Sequence, residues 1–95
     1  MKKEAKVVRA VMKLLRSRGA KVIKTCPPGV ESGTPDILAC WRGWMFAVEC
    51  KSRRGLAPTP LQERRLREWK NAGAIALCVG SADAVEIILA ALEAQ

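Results

Sequence analysis

The chain has 95 residues, 49% of them hydrophobic, and a formal net charge of +8 at pH 7. That length predicts one domain, spanning residues 1–95, with a single modest core, and that charge favours a polyanionic partner, most often nucleic acid. Because the sequence contains no histidine and no tyrosine, it excludes nucleases with a histidine general base and strand transferases with a tyrosine nucleophile.

Cysteine spacing and hydropathy limit the class of protein further. The four cysteines stand singly, at positions 26, 40, 50 and 78, which disfavours zinc ligation and is typical of reduced cysteines in apolar stretches. No apolar run approaches the ~20 residues of a membrane span, and no secretory signal opens the chain. We therefore expect a cytoplasmic protein that binds no membrane.

Residues 2–18 predict a first helix, because three apolar side chains recur at i, i+3 and i+7 as in a buried stripe: Val8, Val11 and Leu15. Basic side chains form a second stripe, which is either a solvated face or a place for phosphates: Lys2, Lys6, Arg9, Lys13 and Arg16. Glu4 extends the apolar stripe one turn earlier. Its carboxylate is favoured by the dipole at a helix N-terminus, and it is also a candidate third carboxylate of a metal site.

Three short strands are predicted next. Residues 21–26 form a strand that Pro27-Pro28-Gly29 ends, and residues 30–34 form a loop that delivers Gly33 beside the next strand. Residues 37–41 and 44–48 flank Arg42-Gly43 and predict a β-hairpin. A two-residue or four-residue loop sets Asp36 opposite Glu49, whereas a three-residue loop would break this register. Both faces of the hairpin are apolar, so we expect helices to cover both.

The hairpin would bring like charges together at its open end. Asp36 and Glu49 face each other, which is unfavourable on neighbouring strands, and Lys51 shares a face with Glu49 because side chains two apart point the same way. One interpretation is a cross-strand salt bridge. The other is a Mg²⁺ ion held by two carboxylates beside a lysine, an arrangement that can catalyse phosphodiester hydrolysis. Ser52-Arg53-Arg54-Gly55 follows at once, either as a solvated turn or as a phosphate clamp.

The second half of the chain predicts a helix, a strand and a helix. Thr59-Pro60-Leu61-Gln62 is a strong start for a helix that runs to about residue 72, with threonine as the N-cap and Gln62 at the third position. Gln62 caps this helix, positions the attacking water or the Lys51 amine, or does both. Four side chains make the exposed side of the helix basic: Arg64, Arg65, Arg67 and Lys70. Residues 74–79 predict a buried strand, and the apolar helix after it, to about residue 93, covers the second face of the sheet or part of a dimer interface.

The predicted order of elements is α-β-β-β-α-β-α, and its markers are Glu4, Gly33-Thr34-Pro35-Asp36, Glu49-Cys50-Lys51 and Gln62. This set resembles the VRR-NUC (virus-type replication-repair nuclease) family of the PD-(D/E)xK nuclease superfamily, over nearly the whole chain. The resemblance implies an α/β fold with a restriction-endonuclease-like core, in which helices flank a mixed β-sheet. Cys50 departs mildly from the aliphatic residue usual between the glutamate and the lysine.

The same resemblance implies the roles of the site residues. Asp36, Glu49 and the backbone carbonyl of Cys50 would ligate Mg²⁺ or Mn²⁺, and Glu4 would complete the acidic cluster. Lys51 would orient or help deprotonate the attacking water, and Gln62 would support the site. The basic residues themselves supply the candidates for DNA binding: Lys6, Arg9, Lys13, Arg53, Arg54 and Arg64.

Members of this family are structure-selective DNA nucleases, and small stand-alone versions look like phage replication or repair proteins, similar to Holliday-junction resolvases that act as homodimers. We therefore expect a metal-dependent endonuclease for branched or duplex DNA, in a bacterial or phage-infected cell. A homodimer would supply the two metal centres that symmetric cleavage of a four-way junction needs. A monomer would fit nicking, or the trimming of flaps or ends. The alternatives are a non-catalytic basic nucleic-acid-binding module and an interaction protein that uses its last helix.

Overall fold

The computed structural model describes residues 2–25 and 29–95. Its elements are α1 (Lys3–Ser17), β1 (Lys21–Lys24), β2 (Ile37–Trp41), β3 (Trp44–Cys50), α2 (Pro60–Asn71), β4 (Ile75–Val79) and α3 (Asp83–Glu93). This confirms the predicted α/β fold, with helices flanking a mixed sheet in the order α-β-β-β-α-β-α. The end of the predicted first strand at Cys26 and the prolines at 27 and 28 lie outside the described residues.

The sheet has the strand order β1-β2-β3-β4, in which β1, β2 and β3 are antiparallel and β4 runs parallel to β3. The hairpin has the predicted register, and its outermost pairs are Trp41 with Trp44 and Ile37 with Val48. Its loop is Arg42-Gly43, where both residues have positive φ, 51° and 85°, as in the type I′ turn that suits the twist of paired strands. Continued by one residue, this register sets Asp36 opposite Glu49.

The core lies on one face of the sheet, beneath α1 and α3. Its fully buried side chains come from the sheet and from both helices: Ile37, Phe46, Val48, Val11, Leu15, Val85 and Leu89. Arg18, just after α1, makes ion pairs with Glu86 and Glu93 of α3. The last helix therefore does not cover the second face of the sheet, one of its two predicted places, because its apolar stripe packs into the same core as α1.

The opposite face of the sheet is only partly covered. α2 packs on β3 and β4, where Ala47 is fully buried. Over β1 and β2, the side chain of Ile23 is 51% exposed and Cys40 is exposed as well. The expectation that helices cover both faces of the hairpin is wrong for this part, because the 12 residues of α2 reach only the two strands that this helix connects.

Three of the four cysteines, Cys40, Cys50 and Cys78, are free thiols, and Cys26 lies outside the described residues. Cys50 is buried, as expected of a cysteine in an apolar stretch, whereas Cys40 points to the uncovered part of the sheet. Within residues 2–25 and 29–95, no helix combines the length and the apolar character needed to cross a membrane.

Candidate metal centre

Three carboxylates meet at the end of the sheet where β2 begins and β3 ends. Glu4, Asp36 and Glu49 each offer one oxygen, and these oxygens lie within 4.8 Å of one another. The hairpin register brings Asp36 to Glu49. Burial of Val8 and Val11 against the sheet brings the first turn of α1, which carries Glu4, to the same place. The structure therefore puts the three predicted carboxylates together, although they come from three elements.

Hydrogen bonds hold both the side chain and the backbone of Asp36. Its carboxylate oxygen Oδ2 accepts a hydrogen bond from the backbone N–H of Cys50 at 2.8 Å. Its backbone carbonyl accepts from the N–H of Thr25 at 2.9 Å, and the Thr25 hydroxyl donates to the carbonyl of Pro35 at 2.6 Å. Thr25 was not predicted to belong to the site. Its only signal in the sequence was its place in the predicted strand of residues 21–26, of which β1 pairs with β2.

Gln62 connects the lysine to the acidic cluster. Its side-chain Oε1 accepts from Lys51 Nζ at 2.7 Å and from the backbone N–H of Thr59 at 2.9 Å. Its Nε2 donates to Glu49 Oε2 at 3.3 Å. The Thr59 hydroxyl accepts from the Gln62 N–H in return, so the predicted capping box is confirmed. One glutamine side chain thus caps α2 and contacts both Lys51 and Glu49.

The environment of Glu49 disfavours its negative charge. Its side chain is almost fully buried, at 1% exposure. Burial, a hydrogen bond to Asp36 and the negative charge of Asp36 together raise the pKa of Glu49 from 4.5 to about 8, although the Lys51 ammonium acts in the opposite direction. Burial and the same carboxylates raise the pKa of the Cys50 thiol to about 12, so this thiol stays protonated at neutral pH.

The donor set fits a hard divalent cation. Carboxylate oxygens are the ligands that Mg²⁺ and Mn²⁺ prefer, and the protonated Cys50 thiol offers no soft ligand beside them. A cation bound between Asp36 and Glu49 would offset the repulsion that otherwise keeps a proton on Glu49. A cleft of about 250 Å³ opens beside these two residues. The predicted carbonyl ligand from Cys50 stays a prediction.

The loop of residues 30–34 forms one wall of this cleft, and α2 holds it in place. Gly33 has φ of +81°, and a Cβ there would lie 2.7 Å from Leu61 Cγ, so only glycine allows the loop to approach the helix this closely. Arg65 donates from Nε to the carbonyl of Ser32 at 3.0 Å and pairs with Glu31 at 3.1 Å. The prediction that Arg65 is part of an exposed basic side is wrong, because its side chain is only 16% exposed.

The six predicted DNA-binding residues fall into two groups. Lys6, Arg9 and Lys13 lie exposed on α1, and Arg53 is exposed in the turn after Lys51. Arg54 and Arg64 instead have acidic partners. The first pairs with Asp83 at 2.7 Å, and the second pairs with Glu68 at 3.7 Å.

The fold and this acidic site define the class of the protein, which is the PD-(D/E)xK nuclease superfamily. The family model described as "Archaeal holliday junction resolvase (hjc)" matches residues 1–71. The chain belongs to this Hjc family.

Solved structures agree with that assignment. A structure described as a VRR_NUC domain is 30% identical to this chain, covers 94% of it and 96% of its own length, and superposes with a TM-score of 0.80. A structure of Hjc, a Holliday junction resolvase from Archaeoglobus fulgidus, an archaeal hyperthermophile, is 24% identical, covers 79% of this chain and 68% of its own length, and has a TM-score of 0.57. The second likeness shows the fold alone. No curated protein matches the chain significantly.

Proposed function

We propose that this protein is a divalent-metal-dependent endonuclease that hydrolyses phosphodiester bonds in branched DNA, as a Holliday-junction resolvase. The observation that carries the proposal is the convergence of three carboxylates beside a lysine in a protein of net charge +8. A protein that only binds DNA gains nothing from this cluster, since carboxylates repel phosphate unless a cation lies between them. Membership of the Hjc family supports the choice of the junction as substrate.

In this proposal, Asp36, Glu49 and the Cys50 carbonyl hold Mg²⁺ or Mn²⁺, and Glu4 completes the ligand set. When bound, such an ion stabilises the charge that develops on the phosphate. Lys51 orients the attacking water or stabilises the transition state. The hydrogen bond of 2.7 Å from its amine to Gln62 uses one of three donors and leaves two for water or phosphate.

Symmetric cleavage of a four-way junction needs two metal centres related by a two-fold axis. One chain contributes one acidic cluster among its described residues. We therefore propose that the protein acts as a homodimer, because a C₂ dimer supplies the second centre in the required relation.

The test is cleavage of a labelled four-way junction beside a linear duplex of the same arm sequence, with Mg²⁺, with Mn²⁺ and with EDTA. We expect metal-dependent cuts placed symmetrically in opposite arms. Cuts at flaps or duplex ends alone would retain the nuclease and overturn the resolvase. Tight binding without cleavage in either metal would leave a nucleic-acid-binding module.

The matched variant is Asp36→Asn, which keeps the shape of the side chain and removes its charge. We expect cleavage to fall below detection while junction affinity is retained or improved, because one carboxylate that repels phosphate has been removed. Substitution of Ca²⁺ for Mg²⁺ should likewise strengthen binding without cleavage. Full activity of the Asp36→Asn protein would overturn the metal assignment.

A further inference from the structure

The net positive charge of the protein is concentrated in one part of the fold. Residues 1–25 contain nine lysines and arginines and a single acidic residue, whereas residues 26–95 contain eight basic and eight acidic residues. The whole net charge of +8 therefore belongs to α1, β1 and the residues next to them. A polyanion is attracted first to this side of the molecule.

A groove of about 470 Å³ lies on this side, between α1 and the end of β1. Its lining combines three apolar side chains with four cations: Ala5, Val8 and Met12, with Arg9, Lys13, Arg16 and Lys24. Among the residues that the structure describes, no acidic side chain lines it. A groove of this chemistry favours a ligand that has both negative charge and an apolar surface.

The four cations of the groove are available to a ligand. Within residues 2–25 and 29–95, none of the four has a carboxylate within 4.0 Å. The basic residues of α2 differ, since Arg64, Arg65 and Arg67 all pair with glutamates. Arg18 also points away from the groove, to Glu86 and Glu93 of α3.

The groove lies near the acidic cluster, because two of its lining residues are chain neighbours of residues at that site. Ala5 of the groove follows Glu4 of the acidic cluster. Lys24 of the groove precedes Thr25, which lines the cleft and bonds the backbone of Asp36. From Arg9 to Arg16 the helix advances by about 10 Å, at ~1.5 Å per residue, which matches roughly three stacked nucleotides at ~3.4 Å each.

We propose that this groove binds unpaired nucleotides of the DNA strand that is cut, next to the scissile phosphate. The proposal rests on the proposed function, because it takes the acidic cluster as the place of cleavage. The four cations contact successive phosphates, and the apolar lining packs against a sugar and the face of a base. An unpaired nucleotide fits better than a duplex, since the base faces of a duplex are already stacked and cannot cover Ala5 and Met12.

The test compares two DNA ligands that differ only in three unpaired nucleotides at the branch. Their dissociation constants are measured with Ca²⁺ in place of Mg²⁺, for the wild type and three variants. Arg16→Gln/Lys24→Gln removes two exposed cations, and Met12→Asn makes the lining polar. Lys70→Gln is the matched control, because it removes an exposed cation from α2.

We expect the wild type to prefer the ligand with unpaired nucleotides by about tenfold. The double variant should abolish most of this preference. Its slope of log affinity against log salt should fall by about 1.4, or ~0.7 for each single-strand phosphate that the protein no longer neutralises. Met12→Asn should abolish the preference but keep the salt slope. Lys70→Gln should keep the preference.

Equal affinities of the wild type for the two ligands would overturn the proposal, and so would groove variants that keep the wild-type preference. Both a free nucleotide and a DNA strand offer a phosphate and a base, and titration with a free deoxynucleotide distinguishes these two ligands. If the groove variants weaken its binding but leave DNA binding unchanged, the ligand is a free nucleotide and the strand assignment is wrong. Cleavage by the wild type in Mg²⁺ tests the proposed nuclease separately, because the binding preference is measured in Ca²⁺ and does not depend on catalysis.

Discussion

The two basic helices that flank the acidic cluster, α1 and α2, are attached to the sheet in different ways. α1 buries Val11 and Leu15 completely and has no side-chain cap at its start. α2 has no fully buried residue and is held by polar contacts, which are its capping box and the bonds of Gln62 and Arg65. The number of basic residues in a helix therefore does not show how many of them can contact DNA. Within the described residues, the cations on the groove side of α1 have no carboxylate within 4.0 Å, whereas three of those on α2 pair with glutamates.

The largest expected difference between the two helices is in folding stability. Leu15→Ala should lower the free energy of unfolding by about 3 kcal/mol, because it leaves a cavity in a fully buried site. Leu66→Ala, at a half-buried position of α2, should cost about 1 kcal/mol. Urea unfolding followed by circular dichroism measures both. Equal losses would show that the two helices are anchored by apolar burial to the same extent.

The next prediction separates the capping of α2 by Gln62 from the effect of Gln62 on DNA cleavage. Gln62→Ala should reduce cleavage by about 10–100-fold, since it releases the Lys51 amine and removes the contact to Glu49. Thr59→Ala removes the hydroxyl half of the capping box at a cost of about 1 kcal/mol and leaves the Gln62 contacts to Lys51 and Glu49. The cleavage rates of the two variants, corrected for the fraction of folded protein, distinguish a role in cleavage from a role in capping alone. An equal loss of rate in the two variants would reduce the role of Gln62 to capping.

The pH dependence of stability tests the burial of Glu49. Its folded-state pKa of about 8 lies above the ordinary 4.5, so the favourable protonated state is complete below pH 4.5 and is lost as the pH rises through 8. In EDTA, the melting temperature should fall by several degrees between pH 6 and pH 8.5. Mg²⁺ should restore it more at pH 8.5 than at pH 6. Glu49→Gln should remove this pH slope, and a wild type whose slope equals that of the variant would contradict the prediction.

The smallest effect compares single cations on the two helices. Arg9→Gln should weaken DNA binding severalfold and reduce its salt dependence, since Arg9 contacts no carboxylate within the described part of the chain. Arg64→Gln should change affinity little, because Arg64 already pairs with Glu68 at 3.7 Å, and should lower stability by only about 0.3–0.5 kcal/mol. Fluorescence anisotropy at several salt concentrations measures the DNA affinity of both variants and its salt dependence. If Arg64→Gln lowered the DNA affinity more than Arg9→Gln does, α2 and not α1 would be the helix that faces DNA.

The hairpin and its acidic pair were predictable because short-range rules determine them. A two-residue loop at Arg42-Gly43 sets the register, and the register sets Asp36 opposite Glu49. Gln62 was predictable for the same reason, since the capping box depends on four consecutive residues.

The features that the sequence did not predict depend on distant parts of the chain. The burial of Arg65 requires the loop of residues 30–34 to fold onto α2, and helical periodicity contains no information about that contact. The apolar stripe of α3 fits either face of a sheet, and its position is determined only when it packs against Leu15 and pairs with Arg18. The division of cations into paired and unpaired ones likewise depends on which glutamates end up as neighbours.

Gln62 Oε1 accepts from both the Thr59 N–H and Lys51 Nζ, so one atom caps α2 and contacts the lysine of the candidate metal centre. This narrows the residues that the position tolerates. A capping box elsewhere accepts glutamate as readily as glutamine, but here a carboxylate would lack the amide donor and would lie against Glu49. A change that preserves the helix can therefore still damage the site, and the start of α2 cannot vary independently of the acidic cluster.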